Sequence, residues 1–343
     1  MVQESGNTHD ISSLTSCFRY IIDSQSQDGT SDVREILKIL YKWAFKILKS
    51  GKTGSAWTRV ELVDEIGQDC FGYCQQKGFL VNTKFHVDGD DSNPMLDGYK
   101  MVAEIFYEWF VAHYVTHIVE DRPGILDQTL QAIDPASHQH VYRFACGLSN
   151  ICSEKILKYL EKNETWKDLA LLCMVEQSEL AENFEKSIRR LCSTINEIKD
   201  EDSALMERSK LQLIKIASWK KIPIKEILLM GCFSSLDLQL ETIVLKSGQE
   251  LPRGLLVTEL RIQLEENLTT KHVEDILQFA TKCEEMEKLG FDDCNDEIPI
   301  NKIDTELLDS IRSKGLQIEW FSRNGGGYQL NLQSGIFELQ QEE

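Results

Sequence analysis

Leu260-Arg261-Ile262-Gln263-Leu264, Leu289-Gly290-Phe291 and Leu316-Gln317-Ile318-Glu319-Trp320 place an apolar residue at every second position, as does Ile227-Leu228-Leu229 upstream. That is the period of a strand with one buried face. Taking Ile227, Leu260 and Leu289 as equivalent gives steps of 33 and 29 residues. Adding Leu316 or Ile318 gives 27 or 29, and the sequence leaves that choice open. Between the strands, His272–Thr281 and Thr305–Lys314 carry the period of a helix with one apolar stripe.

A strand plus a helix repeating every 27–33 residues is the signature of a leucine-rich-repeat solenoid, here with degenerate repeats. Gly325–Gly327 and then Gln329–Leu339 are expected to close it as a hairpin or edge strand. Upstream the period changes. Tyr99–Val119 is almost wholly apolar or aromatic but is broken by Lys100, Glu104 and Glu108, so it reads as a buried helix rather than a membrane span. Helical patterns follow at Gln139–Cys146, Ser153–Lys162, Trp166–Val175, Leu180–Ile198 and Leu205–Trp219. Nearer the start, Ile36, Ile39, Leu40, Trp43, Ile47 and Leu48 mark a helix from about Ser31 that Gly51 stops. A helical stretch near Arg59–Lys77 leads through Gly78 into a short strand, Phe79-Leu80-Val81. The acidic segment Asp88–Gly98 is expected to be an exposed loop.

The expected fold is therefore mainly α with an α/β C-terminal part: winged-helix-like and helical layers followed by a short leucine-rich-repeat solenoid. The expected divisions are a disordered lead-in over 1–30 with a short apolar turn at Phe18–Ile22, a winged-helix-like domain over 31–98, a helical domain over 99–220, and degenerate repeats over 221–343.

Lys plus Arg is 37 and Asp plus Glu is 56 in 343 residues, a formal charge of -19. That balance argues against nucleic-acid binding and against adhesion to anionic membranes, since both reward basic surface. No apolar run approaches the roughly 20 residues a spanning helix needs, and Met1–Asp10 does not read as a signal peptide. Ten scattered cysteines in a chain long enough to build a core are expected to be reduced, as in the cytoplasm.

Several short patterns invite chemistry and are set aside. Ser50-Gly51-Lys52-Thr53 ends like a phosphate loop, but it follows a helix and has Lys46 where the motif needs its first glycine. His113 and His117 have the spacing of a helical zinc pair, with Tyr114 where a metalloprotease has Glu, so they are expected to be satisfied core groups. Cys70 and Cys74 have no second pair at finger spacing. Asp88, Asp90, Asp91 and Asp97 begin like a calcium loop, but Asn93 and Tyr99 occupy the positions of its glycine and glutamate. His138 and His140 are expected to face solvent. No catalytic residue, cofactor or metal ligand is assigned.

Charge distribution is more informative. Arg34, Lys38, Lys42, Lys46 and Lys49 form a basic stripe on the first strong helix, while Ile262–Ser310 holds 14 acids against 4 bases. Candidate docking residues are Arg34, Lys38, Lys42 and Lys46 on the first face, and Glu265, Glu266, Asp292 and Asp293 on the second.

Glu104-Ile105-Phe106-Tyr107-Glu108-Trp109-Phe110-Val111-Ala112-His113-Tyr114 resembles a signature of the NLR proteins, the NACHT and leucine-rich-repeat receptors, which runs roughly F-x-H-x-T-F-Q-E-F-x-A-x-Y-L. Phe106, Glu108, Phe110, Ala112 and Tyr114 fall near its marks. The helix 32–50 resembles the opening helix of the NLR winged-helix domain, and Phe79-Leu80-Val81 the strand after it. Arg143–Leu148 is similar to the F-x-x-G-L step of the next helical domain, and Leu169–Glu176 to the following helix of the expanded invertebrate-type receptors. Aligning on Phe106 and Glu108 puts Ala103 where the family has its nucleotide-facing histidine; His86 could stand in for it only with an insertion over 87–102. The NACHT core, with its phosphate loop, has no counterpart in these residues.

The resemblance implies the C-terminal part of such a receptor: a non-enzymatic regulatory and sensing piece of innate immunity. It would act in the cytoplasm by protein–protein docking and autoinhibition against a NACHT module in cis or in trans, without nucleic acid or membrane. The alternative is a standalone helical and leucine-rich-repeat adaptor without nucleotide control.

Overall fold

The computed structural model describes residues 13–25, 31–86, 95–177, 185–231, 243, 245, 250–252, 255–263, 268–294, 303–323 and 326–339. The chain forms two compact units, Met1–Ala181 and Glu182–Glu343. The architecture is mixed α/β, with helices dominating the first unit and a mixed seven-stranded sheet organising the second.

The first unit is built around α5 (Glu104–Asp121), which buries residues on every side, among them Tyr107, Trp109, Phe110, Val111, Ala112, Val115 and Ile118. A helix apolar all round must be surrounded. α2 (Ser31–Lys49) packs on one side of it and α7 (Gln139–Leu148) on another. Rings fill the contacts: Trp43 lies 5.5 Å from Tyr107, Phe45 stacks on Tyr114 at 4.7 Å, and Trp109 meets Phe144 edge-on at 5.0 Å. Burying each such ring contributes on the order of 2 kcal/mol.

The stretch read as one helix near 59–77 is two, α3 (Arg59–Ile66) and α4 (Gln68–Gln76), because Gly67 adopts φ +80° between them. Thr58 and Glu61 close a capping box at the start of α3. Strand β1 (Leu80–His86) pairs antiparallel with β2 (Met95–Met101), and the backbone of Trp57 adds a bridge to Tyr99 through bonds of 2.9 and 2.8 Å. The expected exposed loop 88–98 is thus strand from Met95 onward, because Leu96, Gly98 and Lys100 pair with β1; residues 87–94 lie outside the described residues.

The expected disordered lead-in needs correction. Leu14–Gln25 is a helix, α1, that packs on α7. Phe18 fits among Phe144, Trp109 and Phe106 at 4.8, 5.6 and 5.7 Å. The free amide of Thr15 donates to the Glu176 carboxylate at 2.9 Å, and its hydroxyl donates at 3.0 Å. Glu176 is itself paired with Arg143 of α7, whose Nε donates at 2.9 Å; the two side chains are 1% and 6% exposed. A carboxylate at a helix N-terminus meets both the unpaired amides and the positive end of the dipole. The short helix α6 (Leu126–Gln131) follows α5, and beyond α7 the helices α8 (Asn150–Leu160) and α9 (Lys167–Met174) complete the unit.

In the second unit α10 (Glu185–Cys192) precedes β3 (Ile195–Lys199), so the helix expected over 180–198 ends early and turns into a strand. Then come α11 (Ala204–Trp219), β4 (Ile224–Met230), β5 (Val257–Gln263), α12 (Thr270–Lys282), β6 (Lys288–Cys294), α13 (Thr305–Lys314) and β7 (Gln317–Ser322). A hairpin of β8 (Gly327–Asn331) and β9 (Ile336–Leu339) closes the sheet. Strand order follows chain order, β3 to β9. The first five strands are parallel and the last two antiparallel. The sheet therefore begins upstream of the expected boundary at 220.

Register resolves the open equivalence. Asn196, Ile227, Leu260, Leu289 and Ile318 lie side by side, so the last step ends at Ile318. Ile198, Leu229, Ile262, Phe291 and Trp320 form a second row, every one buried. Parallel neighbours joined in chain order by right-handed crossovers put their helices on one face. These two rows line that covered face.

Candidate functional site

The opposite face follows from the pleat, since residues between the buried ones point the other way. Three rows run across it: Glu226, Glu259, Lys288 and Gln317; Glu197, Leu228, Arg261, Gly290 and Glu319; Lys199, Met230, Gln263 and Asp292. With five acids against three bases, the face carries a net charge of -2.

The charges are tied to one another across strands. Arg261 Nη2 donates to Asp292 Oδ1 at 2.8 Å, and Lys288 Nζ lies 2.9 Å from Glu319 and 3.7 Å from Glu259. Asp292 and Glu319 are largely buried, at 17% and 13% exposure, while Arg261 and Lys288 remain more open. The Arg261 side chain can lie across β6 because Gly290 has no Cβ; one built there would stand 3.4 Å from Arg261 Cγ. Hydrogen bonding to Asp292 raises the Arg261 pKa, and hydrogen bonding to Glu319 raises that of Lys288. Burial, and then the neighbouring Glu259 charge, raises that of Glu226. Fixed, half-desolvated charges of this kind are electrostatically complementary to a surface that carries the reverse charge pattern in the same register.

Of the sequence-derived docking residues, Asp292 belongs to this face. Glu265 and Glu266 lie outside the described residues, as does the side chain of Asp293. The signal for the rest of the face was the residue between each pair of inward apolar ones: Arg261 between Leu260 and Ile262, Glu319 between Ile318 and Trp320. Net charge summed over the block 262–310 averages out this alternation and leaves Arg261 and Glu319 outside it.

Arg34, Lys38, Lys42 and Lys46 are all exposed on α2, in the first unit. Lys38 pairs with Glu35 and Lys46 with Glu65, each at 2.7 Å, so two of the five stripe residues already have acidic partners nearby. A cleft of about 630 Å³ in the same unit runs along the β1–β2 hairpin, lined by Arg59, Asn82, Thr83, Lys84, Asp97 and Tyr99.

The other patterns resolve as packing. Gly51 takes φ +68° just after α2, so Ser50–Thr53 is a helix-ending turn. His113 stacks on Tyr41 at 4.8 Å and meets Trp109 edge-on; burial holds its pKa down at about 3. His117 lies over Tyr41 as well. His138 and His140 are half-buried rather than solvent-facing, His140 beside Phe144. Cys70 and Cys74 sit one turn apart inside α4, and the hydrogen bond between them, together with burial, raises the Cys74 thiol. Among the described residues, no group of three or more His, Cys, Asp or Glu could hold a metal ion, and no helix is long and apolar enough to cross a membrane. No protein-family model matches the chain, and comparison with curated proteins finds no match to it.

Proposed function

We propose that the chain is a non-enzymatic docking and regulatory module of the NLR-like type, engaging a partner protein through the charged face of its sheet. The observation that carries this reading is the ladder of Arg261–Asp292 and Lys288–Glu319 pairs, held in register across parallel strands and backed by a buried apolar layer. Such a surface is rigid enough to discriminate partners by charge position.

Two further features support the family reading. The order α2, Trp57 bridge, α3, α4, β1, β2 fits the helix-then-hairpin sequence expected of a winged helix, in which the hairpin would serve as the wing. The strand–helix units, stepping 31, 33, 29 and 29 residues from Asn196 to Ile318, have the period of leucine-rich repeats. A NACHT module in cis or in trans is the partner this reading favours, and the cytoplasm its place of action.

The test is capture of a NACHT module by the full chain at low and raised salt, with wild type and D292N/E319Q compared. Capture that weakens with salt and in the variant is expected. Salt-insensitive capture, equal for both proteins, overturns docking through this face. ATP turnover by the purified chain overturns the non-enzymatic role.

A further inference from the structure

Glu226 and Glu259 are register partners on adjacent strands, whose backbones run about 4.8 Å apart. Like charges at such positions destabilise a sheet. Glu259 has Lys288 at 3.7 Å. Glu226 is only 9% exposed as a residue, and no hydrogen bond or ion pair reaches its carboxylate among the described residues, while the more distant Arg261 and Lys225 charges favour its ionised form. A partly desolvated carboxylate beside a like charge gains when a cation is placed directly against it. On the same face, two and four residues along β4, stand the half-buried Leu228 and Met230.

We propose that the Glu226–Glu259 pair is the receiving site for a lysine or arginine side chain of a partner protein, inserted from a basic segment that sets an apolar residue on Leu228 and Met230. The cation relieves the repulsion between the two carboxylates and supplies the partner that Glu226 lacks. The apolar contact fixes direction, since Leu228 lies on one side of Glu226 along the strand. This inference rests on the docking reading of the face and narrows it to one anchor and one ligand chemistry.

The probe is a dye-labelled peptide in which lysine and leucine alternate with glycine between them, titrated into the full chain by fluorescence anisotropy. Wild type binds saturably. E226Q/E259Q binds about tenfold more weakly, while E201Q/E306Q, which removes two exposed carboxylates from the same unit, binds as wild type. Thermal melts of E226Q/E259Q show unchanged or increased stability, because the like-charge contact is gone.

Equal affinity of wild type and E226Q/E259Q overturns the anchor, as does an equal loss in both double variants. A lower melting temperature for E226Q/E259Q also overturns it, by giving the pair a structural role. If the peptide binds wild type and D292N/E319Q alike and is insensitive to salt, the docking reading itself fails.

Discussion

Glu108 and His113 lie one turn and a half apart on α5 and respond to pH with opposite sign. Glu108 accepts a hydrogen bond from the His140 amide at 3.0 Å, at the start of α7, yet burial raises its pKa to about 7 from 4.5. The folded state thus holds its proton more tightly than the unfolded chain. Stability from this group is full below pH 4.5 and is lost as pH rises through 7. His113 is lowered to about 3 from 6.5, so its contribution is full above pH 6.5 and is lost as pH falls toward 3. Urea midpoints of wild type should decline on the alkaline side of this range, and E108Q should flatten that decline while keeping the acid-side loss. An E108Q profile superimposable on wild type would remove Glu108 from the account. The buried Arg143–Glu176 pair works differently: its partners also receive Thr15, so it secures a neighbouring helix as well as itself.

At the scale of elements, α1 shows how a helix with weak local signals is held by distant groups. Its apolar residues Leu14, Phe18 and Ile22 recur every four residues, but serines and a short length obscure them, and its anchor Glu176 is 161 residues away. β3 was hidden for a related reason. Ile195-Asn196-Glu197-Ile198-Lys199 shows only two apolar residues, three apart, which reads as a helical turn; pairing with β4 makes it a strand. By contrast, Ile227, Leu260 and Leu289 announced their equivalence, because burial on one face forces period two. A Cβ at Gly147 would stand 2.3 Å from Thr15 Oγ1 and 2.5 Å from Thr15 Cβ, so that glycine admits α1 to the surface of α7. G147A should accelerate amide exchange over residues 15–25 by roughly ten- to a hundredfold while α5 keeps its protection. Unchanged exchange in α1 would show that the helix can shift at no cost.

Over the whole molecule, an excess of 19 negative charges opposes compaction. The paired charges on the sheet work the other way, but they are few and sit within a few ångströms of one another, where salt screens less. The melting temperature should therefore rise from very low salt to about 0.15 M sodium chloride, as calorimetry can follow. A fall over that range would mean that favourable pairs outweigh the global repulsion.

The chain-order pairing of the sheet also bears on how it forms. Aligned residues on successive parallel strands are never more than 33 positions apart, from Ile227 to Leu260, and Glu319 meets Gln329 after only ten. Each closure is short, so its entropy cost is modest and no distant strand must be found first. The β7–β8–β9 meander, spanning 23 residues from Gln317 to Leu339, needs the shortest loops of all. Once in place it offers β6 a template, and the sheet can grow from its C-terminal end toward β3, one strand and one crossover at a time.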